Sequence, residues 1–76
     1  MEYRTTDIVL ASTLIVSGHQ LTNLEVIGSR GTFIFTNIPD DILLTFDLGK
    51  ALVEPRDFNN TIKKLTTSVR RLTQRI

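Results

Sequence analysis

The sequence predicts an α+β domain, and three features of it carry that prediction. The apolar residues Phe58, Ile62, Leu65, Val69, Leu72 and Ile76 follow a 4-3-4-3-4 spacing, which puts them in one stripe of a long helix. Thr32-Phe33-Ile34-Phe35-Thr36 alternates with the period of two that marks a strand. Between that run and the apolar-rich segment from Leu21 to Ile27 lies Gly28-Ser29-Arg30-Gly31, a connection suited to a hairpin. At 76 residues the chain has room for one domain, residues 1–76.

The elements follow in order. Thr5-Thr6-Asp7 opens a first helix, with Thr5 or Thr6 as cap and Asp7 at the positive end of the dipole. Its body runs from Ile8 to Ser17 and is rich in β-branched residues, but its length and end signals favour a helix over a strand. Gly18 stands where a helix ends in the left-handed conformation. Ile8, Ala11, Leu14 and Ile15 form one stripe, which Val9, Leu10 and Val16 widen, so this helix is expected to be nearly buried or to meet a partner.

The hairpin strands come next, from Leu21 to Ile27 and from Thr32 to Asn37. Two glycines are expected to supply positive φ between them, and Phe33 and Phe35 to face the helices. Pro39 then starts a short second helix with Asp40 and Asp41 in its first turn and Gly49 past its end. Its buried residues should be Ile42, Leu43, Phe46 and Leu48. Ala51-Leu52-Val53 reads as a short third strand, and Pro55 opens the long helix that reaches Arg75. The expected order is therefore α-β-β-α-(short β)-α, an antiparallel hairpin packed against helices with a long C-terminal helix. No internal repeat, low-complexity tract or linker interrupts it.

A chain this short hides only about 60–65% of its unfolded surface on folding, so its core is small. It has no cysteine and a single histidine, His19, which leaves self-association as the available supplement to stability. No cofactor or metal is expected. The apolar runs Ile8-Val9-Leu10-Ala11 and Leu14-Ile15-Val16 are far shorter than the roughly 20 residues of a membrane span, and the start lacks a signal peptide's basic lead-in. The expectation is a cytoplasmic protein with no membrane partner, in which the sequon Asn59-Asn60-Thr61 is accidental.

Phosphate loops, GxGxxG, HExxH and a cysteine nucleophile are all missing from the sequence, so no enzymatic activity is expected. His19 follows Gly18 and reads as part of a helix end. Asp40 and Asp41 diverge by about 100° on a helix and read as dipole partners rather than a catalytic pair.

Charge is the informative feature. Net charge is only +1, yet residues 1–53 carry three basic and six acidic side chains, and residues 54–76 carry six basic and two acidic. Arg56, Lys63 and Arg70 lie seven apart on the side of the last helix away from its apolar stripe, with Lys64, Arg71 and Arg75 beside them. Arg30, at the hairpin tip, could be presented to a phosphate. These seven residues are the candidate nucleic-acid contacts, a phosphate-directed set with little sequence readout and no interleaved aromatics for stacking. The outer half of the apolar stripe, Val69, Leu72 and Ile76, is the candidate self-association seam, because the 4-3 spacing also suits a coiled coil.

Thr5-Thr6-Asp7-Ile8-Val9-Leu10-Ala11, Gly18-His19-Gln20-Leu21, Thr32-Phe33-Ile34-Phe35 and Gly49-Lys50-Ala51-Leu52-Val53-Glu54-Pro55-Arg56 occur in that order across most of the chain. In them the chain resembles an uncharacterised domain-of-unknown-function family of short prokaryotic and phage-encoded proteins. The resemblance implies the element order above and a mobile-element context, and it carries no catalytic or binding residues. Ser12, where a second alanine is usual, and a longer, more basic C-terminus depart from that pattern.

The functional expectation is a non-catalytic accessory module, self-associating, that contacts nucleic acid or a ribonucleoprotein through its basic C-terminal helix. The alternative is a protein–protein adaptor or inhibitor of phage or mobile-element origin that docks on a larger protein partner by hydrophobic surfaces. The partners to test are thus nucleic acid, a homodimer mate and a larger protein.

Overall fold

In a computed structural model that describes residues 1–73, the chain forms β1 (Glu2–Thr5), α1 (Ile8–Val16), β2 (Leu21–Ile27), β3 (Arg30–Thr36), α2 (Asp40–Asp47) and α3 (Pro55–Thr73). The α+β class, the hairpin, the three helices and the long C-terminal helix stand as expected. Two details change. The chain has a strand before α1 that the sequence reading did not contain, and Ala51-Leu52-Val53 is not a strand.

The sheet order is β1-β3-β2, all antiparallel, so β3 is flanked on both sides. Glu2, Tyr3, Arg4 and Thr5 pair with Thr36, Phe35, Ile34 and Phe33, and occupy the free edge of the hairpin. Ala51 and Val53 instead line a small hollow with Val9, Thr13, Phe46 and Phe58, and Leu52 between them is exposed.

Alternation along β3 divides the sheet into two faces. Phe33 and Phe35 are buried beneath the helices with Leu10, Ala11, Leu14 and Leu65. Tyr3, Ile8, Ile15, Leu21, Leu24, Ile38, Ile42, Leu43, Phe46 and Val69 close around that cluster. Ile34 points to the opposite face, yet it is only 3% exposed. Its cross-strand partner Arg4, on one edge strand, reaches Glu25 on the other, with Nη1 donating to Oε1 at 2.7 Å. A side chain that bridges the two edge strands must pass over the central one, so its stem shields Ile34. Arg4 Nε also donates to Glu2 at 2.6 Å. Hydrogen bonds to Glu25 and then Glu2 raise the Arg4 pKa, which keeps this guanidinium charged at any working pH.

The helix ends follow local chemistry. Asp7 is itself the N-cap of α1, in place of Thr5 or Thr6: its carboxylate accepts from the Val9 and Leu10 N–H groups. Thr5 Oγ1 accepts from the Asp7 N–H in turn. At the other end Gly18 takes φ 101°, its N–H donates to the Ile15 carbonyl, and the His19 N–H donates to Leu14. This is the Schellman pattern, and Gly49 and Lys50 repeat it at the end of α2. Glu54 caps α3, its carboxylate accepting from the Asp57 N–H at 2.9 Å.

The two hairpin glycines prove to have different work. The tip needs positive φ only at Gly28, whereas Gly31 lies within β3 and is buried. A Cβ built on Gly31 would stand 2.7 Å from Val69 Cγ2, so its missing side chain is what lets α3 lie close to the sheet. On α1 the buried Thr13 hydroxyl donates to the Val9 carbonyl, but the fully buried Ser12 hydroxyl has no hydrogen-bond partner among the described residues.

Candidate nucleic-acid interface

Helix α3 spans about 28 Å at 1.5 Å per residue and separates its chemistry by face. Leu65 is buried, while Phe58, Ile62, Val69 and Leu72 are partly so. At 100° per residue, Arg70, Lys63, Arg56, Thr67, Arg71 and Lys64 fall in that angular order across the side opposite Leu65. All five cations in that arc are exposed. The apolar stripe therefore fixes the orientation of the basic face, because burying the one exposes the other.

None of these cations is neutralised by a carboxylate within the described residues. The ion pairs there both belong to Arg4, on the outer face of the sheet. Three acidic side chains, Asp40, Asp41 and Asp47, sit on α2, and Glu54 and Asp57 sit at the start of α3. Lys63, Lys64, Thr67, Ser68 and Arg71 line a shallow depression of about 420 Å³ on the outer side of α3.

A second depression, of about 500 Å³, lies on the flank of α3 where it meets the hairpin tip. Arg30 and Arg70 both line it, so two candidates 40 residues apart in sequence are brought together. Thr6, Ser29, Thr66 and Thr73 add hydroxyls, and Ile8, Gly31, Phe33 and Val69 supply apolar surface. Sequence reasoning missed the four hydroxyl residues. They come from separate segments, and no motif spacing signals their convergence.

The remaining candidates have mixed placements. Arg56 is exposed in the first turn of α3, apart from both depressions. Arg75 and Ile76 lie outside the described residues. Val69 is half-buried and packs against the chain's own core, within reach of Gly31. Leu72 is half-buried. His19 contributes its backbone N–H to the end of α1, and Asp40 and Asp41 occupy the first turn of α2. Among the described residues no three His, Cys, Asp or Glu side chains gather as a metal site, and no helix is long and apolar enough to cross a membrane.

No family model, curated protein or solved structure matches the chain. A functional reading therefore rests on the charge distribution and on the two basic depressions.

Proposed function

We propose that this chain is a non-catalytic binding module that contacts nucleic acid through the outer face of α3. The observation that supports this most is the arc from Arg70 to Lys64, exposed and without carboxylate partners among the described residues. Such an array lowers its own electrostatic energy by meeting phosphates, and releases counterions when it does. The cytoplasm, where nucleic acid is at hand, is the setting proposed with it. The resemblance to short prokaryotic and phage-encoded proteins is compatible with that setting.

Fluorescence anisotropy with labelled single- and double-stranded oligonucleotides, across a salt series, tests the reading. Each neutralised phosphate contributes roughly −0.7 to −0.9 to the slope of log K against log salt, so three to five contacts give a slope of about −2 to −4. Lys64→Glu combined with Arg71→Glu should flatten it. Absence of binding at low salt sinks the proposal.

A second reading is favoured by a different surface. Leu44, Leu48 and Leu52 are exposed, Leu52 at 93%, and Phe46, Val53 and Phe58, close to them in sequence, line a hollow of about 210 Å³ together with Val9 of α1. This is the surface on which a protein adaptor or inhibitor would dock, or a second copy would pair. Light scattering decides the second-copy form: Leu48→Ser with Leu52→Ser should lower a dimer mass, and a monomer at high concentration removes it.

A further inference from the structure

We propose that the groove between the hairpin tip and the C-terminal half of α3 seats one nucleotide of a single strand, with its phosphate between Arg30 and Arg70. The inference deepens the nucleic-acid reading of α3 and rests on it. Two guanidinium groups from different elements border the same groove, and neither has a carboxylate partner among the described residues. Like charges facing one concavity repel, and an anion placed between them turns that repulsion into attraction. The planar fork of guanidinium N–H donors can also engage two phosphate oxygens at once, which ammonium does less well, and both cations here are arginines.

The rest of the lining fits the same ligand. Thr6, Ser29 and Thr66 place hydroxyls on the groove, able to donate to phosphate or sugar oxygens. The Asp7 carboxylate, on the adjoining segment, accepts from the Val9 and Leu10 N–H groups through Oδ1 and does not line the groove. Ile8 and Val69 supply an apolar wall, and Gly31 leaves the floor without a side chain. A volume of about 500 Å³ is within the roughly 300–1,000 Å³ of small-ligand sites. That wall selects a single strand over a duplex, because a duplex keeps its bases stacked inside and offers only phosphates to the rim. Arg70 borders the groove and also begins the cationic arc, so a strand leaving the groove runs on towards Lys63 and Arg71.

The test uses the whole chain, a short labelled oligothymidylate, a duplex of mixed sequence and inorganic phosphate. Arg30 and Arg70 are exposed, so Arg30→Gln and Arg70→Gln should leave the fold intact, with circular dichroism as the check. Each should weaken oligothymidylate binding roughly tenfold, the scale of one lost charge-assisted hydrogen bond, and change duplex binding far less. In ¹H–¹⁵N spectra the oligothymidylate should shift the Ser29, Gly31 and Thr66 amides, and inorganic phosphate should shift the same amides more weakly. If Arg30→Gln binds like the native chain while Lys64→Gln is weakened, the groove assignment is overturned and the outer-face reading stands. If neither oligothymidylate nor duplex binds and the groove amides stay in place, both fall together.

Discussion

The two sides of this molecule are built to different standards. On one side, α1 and α3 cover the sheet, and Ala11, Leu14, Phe33, Phe35 and Leu65 are buried together. On the other, α2 has no buried residue; Ile42, Leu43 and Phe46 rest against the core while Leu44 and Leu48 face outward. Charge divides in the same way, with Asp40, Asp41 and Asp47 on α2 and, on α3, cations without a carboxylate partner among the described residues. The core is therefore made by α1, the sheet and α3, and α2 with residues 48–54 is a satellite. Stability should be concentrated on the first side, and adjustable surface on the second.

Substitutions along that divide can break or sharpen the contrast. Phe35→Ala, in the centre of the core, should cost about 3–5 kcal/mol in urea unfolding, enough to unfold a domain of this size. Gly31→Ala should cost about 1–3 kcal/mol, because its Cβ meets Val69 Cγ2 at 2.7 Å. Adding Val69→Ala should recover part of that loss in a double-mutant cycle, and strict additivity would show that the contact is not the cause. Phe46→Ala, on the half-buried side, should cost only about 1–2 kcal/mol by area; a loss equal to that of Phe35→Ala would erase the contrast. Ser12→Ala should be neutral or stabilising by about 1 kcal/mol, since the hydroxyl it removes is buried without a partner. Leu48→Ser should shift stability by less than about 0.5 kcal/mol.

Where the sequence could be read, the signal was periodicity or punctuation. The stripe of α3, the Phe33/Phe35 alternation and the Gly18 and Gly49 helix ends all express a local rule, and each stands where expected. The extra strand was illegible for a local reason. Glu2-Tyr3-Arg4-Thr5 is only four residues long, and its charges look like an exposed tail until Arg4 is seen reaching Glu25 across β3. The apolar triplet at 51–53 has strand-like composition, but Ala51 and Val53 line the hollow beside Phe46 and Phe58 and pair with no strand. Of the candidate interface, the basic arc of α3 was legible because one helix carries it. The groove was only half legible: Arg30 and Arg70 were both singled out, but their meeting depends on where α3 crosses the hairpin.

That crossing is set by an atom rather than a side chain. The hydrogen on the Gly31 α-carbon acts as a spacer between sheet and helix, and it is the thinnest spacer the amino acids offer. An alanine there would force either the Val69 side chain or α3 itself to shift. The approach of α3 to the hairpin is thus gauged by position 31, whose own side chain is a single hydrogen. A graded series at that position, glycine to alanine to serine, would act as a wedge between sheet and helix while leaving every charged residue unchanged.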